Sequence, residues 1–122
     1  MILVDSSVWI DHLRGGDGAL TALLERNGVL AHPFVIGELA LGSLRQRDVI
    51  LAALQDLPLA VVADDAETLG FITRHSLHGR GIGYIDAHLL ASARLTAGST
   101  LWTRDKRLRA IAVELGIAAD LA

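Results

Sequence analysis

Short runs of strand-forming residues, Ile2–Val4, Val29–Ala31, Leu59–Val62 and Thr100–Trp102, alternate with longer stretches of helical pattern. That alternation restricts the fold more than any other feature, because strands separated by helices pair side by side through crossovers and build an α/β domain with a largely parallel sheet. Helices are expected from Ser6 to about Leu13, Ala19 to about Arg26, Pro33 to about Leu44 and Asp48 to about Leu57. Three more are expected from Asp64–Asp65 to about His78, from Tyr84 to Ala97 and from Asp105 to Leu115, and Ile117–Ala119 adds a short edge strand. The punctuation agrees with this map. Ser6-Ser7 reads as a capping pair, Gly15-Gly16-Asp17-Gly18 as a break, and Pro33 suits a first helical turn, where its missing N–H costs nothing. Pro58, Gly98 and Gly116 close helices, and Gly79, Gly81 and Gly83 form a flexible joint.

The chain has 122 residues, 52% of them hydrophobic, which predicts one domain over residues 1–122 with roughly two-thirds of its surface buried on folding. No stretch approaches the roughly 18 consecutive apolar residues of a membrane span, and Met1-Ile2-Leu3-Val4 meets Asp5 too soon for a secretory leader, so a cytoplasmic protein is expected. The absence of cysteine excludes disulfides, thiolate metal sites and a thiol nucleophile. A metal here needs oxygen or imidazole ligands.

Four carboxylates, Asp5, Glu38, Asp86 and Asp105, lie in apolar sequence at or near the ends of expected elements. Asp5 directly follows the first strand and Asp105 stands just past the fourth, and ligands of open α/β sheets sit beyond the carboxyl ends of strands. Glu38 and Asp86 belong to helices. Their neighbours one turn away are Phe34, Val35, Leu41 and Gly42 for the first, and Ile82, Gly83, Leu89 and Leu90 for the second. A carboxylate in such company needs a cation, a proton or an opening to water. Gathered by the fold, the four make an oxygen-only pocket for Mg²⁺ or Mn²⁺, the equipment for cutting a phosphodiester. Taken singly, each has a plainer explanation. Asp5 and Asp105 can serve helix N-termini for up to about 1 kcal/mol. Glu38 and Asp86 can be rim residues, and Glu114, beside Ala110 and Ile111, passes the same apolar-neighbour test.

Net charge is −3, which argues against a polyanionic partner until the four acids are set aside; 10 acidic residues then face 11 basic ones, of which 10 are arginine. Arginine bonds two phosphate oxygens at once. Arg14, Arg80, Arg104 and Arg107 are candidate phosphate contacts, and Arg104, Lys106, Arg107 and Arg109 form the densest basic run, around Asp105. The plain alternative is a solvated helix face. Of His12, His32, His75, His78 and His88, only His75 and His78 form an i,i+3 pair, and no HExxH pattern exists. Trp9, Phe34, Phe71, Tyr84 and Trp102 are too few and scattered along the chain for a base-stacking platform, and most are assigned to the core.

The segments Asp5-Ser6-Ser7-Val8-Trp9-Ile10-Asp11, Glu38 followed by Gly42, Asp86-Ala87-His88-Leu89-Leu90-Ala91 and Leu101-Trp102-Thr103-Arg104-Asp105 occur in the order and approximate spacing of PIN-domain ribonucleases. More closely, the chain resembles VapC toxins of bacterial and archaeal toxin–antitoxin pairs, from its first strand to its last helix. The resemblance implies a three-layer α/β fold with a central, mostly parallel four- to five-stranded sheet flanked by helices. It implies that Asp5, Glu38, Asp86 and Asp105 hold Mg²⁺ or Mn²⁺, one ion or two, with Ser6 and Thr103 as supporting hydroxyls. It further implies an endoribonuclease in which water attacks phosphorus, leaving 5′-phosphate and 3′-hydroxyl ends, and which works as a homodimer. A small VapB-type antitoxin holds such toxins inactive, with a basic side chain projecting toward the acids. The mean hydropathy of +0.44 fits apolar surface left over for a dimer or antitoxin groove, with Ala19–Arg26 and Asp48–Leu57 as candidate contact helices. Two other readings stay open: a non-catalytic module that keeps the fold for its partner, and a receiver-type phosphoacceptor domain using Asp64-Asp65. The receiver reading lacks the paired acid after the first strand.

Overall fold

The computed structural model describes residues 1–122. The first strand, β1 (Ile2–Val4), leads into α1 (Ser6–Gly15) and α2 (Gly18–Glu25), followed by β2 (Val29–Leu30). Helices α3 (Pro33–Ala40), α4 (Arg47–Gln55), α5 (Asp65–Arg74) and α6 (Tyr84–Leu95) precede β3 (Thr100–Trp102), and α7 (Lys106–Glu114) follows it. The strands form one parallel sheet in the order β2-β1-β3, with Leu3 opposite Leu30 on one side and Leu101 on the other.

Central β1 is buried at Leu3 and Val4, as expected of a parallel strand covered on both faces. The chain leaves β1 for β2 on one side and for β3 on the other, so the carboxyl end of β1 lies where the strand order reverses. Helix α1 packs on α3 and α3 on α4, while α5 packs on α6 and α6 against β3. The core runs through the sheet into these helices, with Leu20, Leu89, Leu90, Trp102, Leu108 and Ile111 fully buried.

The α/β class with a parallel, helix-flanked sheet is as expected, but the strand count is lower. Leu59–Val62 contributes a single parallel bridge, Leu59 to Ala31, and Ile117–Ala119 another, Ala118 to Leu101, leaving three strands in place of four to five. Within this run only Ala60 is buried, Leu59, Val61 and Val62 being about half exposed, and pairing stops after one residue. Two helices are shorter than expected: α3 ends at Ala40 and not near Leu44, and α5 at Arg74 and not near His78. Beyond α5, Ser76 takes a left-handed φ of 52° and the Leu77 N–H returns to the Ile72 carbonyl at 3.0 Å, a helix stop built without glycine. No helix is long and apolar enough to cross a membrane.

Candidate metal centre

Asp5 stands where β1 turns into α1, in the N-cap position, yet its side chain makes no cap bond to the helix. Its buried carboxylate is held sideways: Oδ2 accepts from the Ser7 hydroxyl at 2.7 Å and from the Thr103 hydroxyl at 2.8 Å. Each hydroxyl in turn accepts a backbone N–H from the turn after β3. Arg104 N–H reaches Ser7 Oγ at 3.0 Å and Asp105 N–H reaches Thr103 Oγ1 at 3.1 Å. Two short relays therefore fix one oxygen of Asp5 from the neighbouring strand's end.

The expected capping pair Ser6-Ser7 is thus put to another use. The two serines open α1 from its first turn, with Ser7 bound to Asp5 and Ser6 Oγ donating to Glu38 Oε1 at 3.3 Å. The resemblance implies Ser6 and Thr103 as the supporting hydroxyls; in the structure Ser7 joins Thr103 on Asp5, while Ser6 serves Glu38. A serine doublet after the acid carried the hint, but only the fold shows which serine turns back onto Asp5.

Glu38 comes from α3 and Asp86 from the first turn of α6, where Asp86 Oδ2 accepts the Gly83 N–H at 3.1 Å. Asp105 caps α7, its Oδ1 accepting from Leu108 N–H at 2.9 Å, so the helix-capping explanation is realised for this acid. A pattern unites the four. One oxygen of each is held by a protein donor, and the other, Asp5 Oδ1, Glu38 Oε2, Asp86 Oδ1 or Asp105 Oδ2, receives none.

The molecule's ion pairs, Arg80–Glu114, His88–Asp65, Arg104–Asp11 and Arg104–Asp17, leave all four acids without a cation. The acids feel one another instead. Burial raises the proton affinity of Glu38, and the charges of Asp5 and Asp86 add to it against the Ser6 hydrogen bond. Burial likewise raises Asp86; the Gly83 N–H opposes this, while Asp5 and Asp105 push it further up. The fold has gathered the four carboxylates into one field. As the side chains stand, no three of the chain's acids and histidines are close enough to share one ion. The donor set nevertheless fits a hard divalent cation: oxygen-only, negative, uncompensated, with one open oxygen on each acid.

None of the five histidines bonds to any of the four acids. His12 accepts from Asp17 N–H, His32 caps α3, and His88 is held by Thr68 and Asp65. Asp64 forms a capping box with Glu67, and Asp65 accepts from Tyr84, so the pair weighed as a phosphoacceptor is occupied structurally.

The arginines divide. Arg80 is spent on Glu114, and Arg104 on Asp11, Asp17 and the Ala122 carbonyl while lying over the Trp102 ring. Arg107 lies against Gly81, and Arg14 lines a groove of about 620 Å³ with Ile10, Leu13, Ile50, Arg45 and Glu38. Arg45, not singled out in sequence, follows α3 and lines the same groove as Glu38.

The PIN domain family model matches residues 2–114. Ribonuclease VapC32 of Mycobacterium tuberculosis, from strain CDC 1551 / Oshkosh and from strain ATCC 25618 / H37Rv, is 52% identical over 118 residues, covering 97% of this chain and 95% of the relative.

Proposed function

The chain belongs to the PIN-domain family, as a VapC-type member, and from that premise we propose that it is a divalent-metal-dependent endoribonuclease, the toxin of a VapBC-type pair. The observation that carries the reading is the set of four carboxylates, mutually repelling, unpaired with any cation, each with one oxygen open. In this reading residues 1–122 act as one domain in the cytoplasm. Asp5, Glu38, Asp86 and Asp105 hold Mg²⁺ or Mn²⁺, one ion or two.

The ion supplies Lewis-acid polarisation of the phosphate and acidification of water. The protein's own part is positioning. Ser7 and Thr103 lock Asp5 as the fixed point of the site, and Ser6 orients Glu38. Glu38 and Asp86, whose proton affinities are raised, would hold the cation in their deprotonated form, so occupancy should fall as pH is lowered. Water attacks phosphorus and the bond to the 3′-oxygen breaks, which leaves 5′-phosphate and 3′-hydroxyl ends. Arg14 and Arg107, free of ion pairs, are the better placed of the candidate phosphate contacts; Arg80 and Arg104 would first have to leave their carboxylate partners.

The groove between α1 and α4 supports an antitoxin docked there. Ile10, Leu13 and Ile50 offer an apolar seat, and Glu38 at its edge suits a basic side chain. Of the two helices weighed in sequence, α4 lines this groove and α2 does not. A homodimer completes the proposal, with exposed apolar side chains such as Leu69 and Val113 available to it.

The test is incubation of total cellular RNA with the antitoxin-free protein and Mg²⁺ or Mn²⁺, with EDTA, Asp5→Ala and Asp86→Ala as controls and product ends mapped. Discrete cuts bearing 5′-phosphate, lost in every control, are expected. Cyclic 2′,3′-phosphate as the main product would reject attack by water. An absence of cuts from a protein that still binds antitoxin would leave a non-catalytic binding module.

A further inference from the structure

On the other side of Glu38 from the groove, polar and aromatic groups gather around a buried imidazole. His88, 2% exposed, meets Phe34 at 4.8 Å and Tyr84 at 4.6 Å between ring centroids, both edge to face. In sequence these two aromatics are far apart; the packing of α3 beside α6 brings them onto one support. Phe34 remains 36% exposed and Tyr84 45% exposed. Resting on the nuclease reading above, we propose that Phe34 and Tyr84 form a ledge on which an unpaired nucleobase of the cleaved strand stacks beside the acids.

Position is the first argument. Phe34 precedes Glu38 by four residues on α3, about 6 Å along the axis and on the same face. Tyr84 opens α6 and turns to the His88 face of the helix, two residues before Asp86 and on a different side from it. The ledge therefore meets the carboxylates at its Phe34 end, while the α1–α4 groove includes Leu39 and Gly42, C-terminal to Glu38.

Preorganisation is the second. The Tyr84 hydroxyl donates to Asp65 Oδ1 at 2.8 Å, and His88 is fixed by Asp65 at 3.2 Å and by Thr68 at 3.1 Å. The turn carrying Phe34 is held by its own N–H, which donates to His32 Nδ1 at 3.0 Å. A single exposed aromatic is ordinary on a protein surface. Two held rings sharing one buried support next to a site for RNA are a built surface.

Charge is the third. With net charge −3 and both Arg80 and Arg104 committed to carboxylates, phosphate attraction alone is a thin grip on a strand. Stacking holds a base whatever its charge surroundings, and every base has a face to offer. The ledge also explains how a strand is selected: only an unpaired base can leave its neighbours to lie there.

The test uses short single-stranded oligoribonucleotides with 2-aminopurine walked along the sequence, bound to Asp86→Asn alone or combined with Phe34→Leu, Phe34→Trp or Tyr84→Leu. Parallel cleavage assays use the same ledge substitutions with Asp86 intact, on normal strands and on strands with an abasic nucleotide at each position. Stacking quenches 2-aminopurine, so quenching is expected at one position near the cut, kept by Phe34→Trp and lost in both leucine variants. In cleavage the leucine variants should raise KM about ten-fold, the loss appearing in KM more than in kcat. An abasic nucleotide at that position should reproduce the loss in the unaltered protein and add nothing to Phe34→Leu. Thermal melts separate misfolding from loss of the ledge; should Tyr84→Leu fail to fold, the Phe34 pair decides. Normal cleavage with an undiminished abasic effect in Phe34→Leu would overturn the ledge and leave the nuclease standing. Phe34-dependent quenching without cleavage of any RNA would sink the nuclease and keep the ledge, and neither signal would sink both.

Discussion

Acid should weaken this fold through one buried imidazole, and the size of the effect follows from its surroundings. His32 is fully buried; its Nδ1 accepts the Phe34 N–H at 3.0 Å and its Nε2 lies 3.2 Å from Ser92 Oγ. A second proton would have to sit on Nδ1, facing another N–H. Burial, with a smaller push from His88, lowers its pKa from 6.5 to about 4. The unfolded chain takes up that proton as pH falls below 6.5, while the folded chain resists until about 4. The contribution is therefore intact above the unfolded value and is lost as pH falls through this window, with nothing further lost below it. At 1.36 kcal/mol per pH unit the loss is about 3 kcal/mol, a large share of the roughly 5–15 kcal/mol that holds a typical domain together.

Urea unfolding at intervals across this window, for the natural protein and for His32→Asn, isolates the term. Asparagine still caps α3 but does not titrate, so its packing loss shifts the whole curve and its slope lacks one proton. The stability difference between the two proteins should change by about 3 kcal/mol between pH 6.5 and about 4. A difference flat across that window, or an imidazole NMR signal from His32 titrating near 6.5 in the folded state, would refute the reasoning.

Further expectations concern the acids and their supports. Thr103→Val removes one of the two hydroxyls on Asp5 Oδ2 and should cost about 1–3 kcal/mol in denaturant melts, with Thr103→Ser restoring most of it. Glu38→Gln and Asp86→Asn relieve a desolvated, mutually repelled charge, so each should raise the melting temperature of the metal-free protein while cutting RNA cleavage by about 100-fold or more. Mn²⁺ at a hundredfold excess over its Kd should stabilise the natural protein by about 2.7 kcal/mol, less as pH falls because protons compete for Glu38 and Asp86, and chelation should reverse it. Gly81→Ala forces a side chain onto a φ of +82° with its Cβ 2.6 Å from Arg107 Nη1, and calorimetry should show a loss of about 1–2 kcal/mol with Arg107 displaced.

Local rules made β1, β2, β3 and the helices legible, because strand-forming runs and helical periodicity sit between clear stops such as Gly15-Gly16 and Pro58. They failed where the outcome depended on something distant. Leu59–Val62 has the composition of a strand, but whether it pairs depends on how much of Ala31's edge it meets, and it meets one residue. The end of α5 was hidden because a serine, Ser76, takes the left-handed role usually given to glycine. The four acids of the proposed site stand out in sequence by their apolar neighbours and by the family pattern. Their supports do so less. Ser7 was missed in favour of Ser6, and nothing local to Arg104 announces that Asp11 and Asp17, far back in the chain, will claim its guanidinium. Phe34 and Tyr84 looked scattered because only the packing of α3 beside α6 makes them neighbours on His88.

The single-residue bridges at both margins of the sheet bear on how the molecule can assemble. An open strand edge is a template, a row of unmet N–H and C=O groups onto which another chain can zip. Here the outer ribbons are Leu59 on one side and Ala118 on the other, each paired over one step before the chain turns away. A second molecule finds no run of backbone long enough to extend the sheet. Association is thereby steered to side chains on helices, where geometry and charge discriminate between partners. A protein with an open acidic centre can thus choose its company by side chains and not by strand pairing.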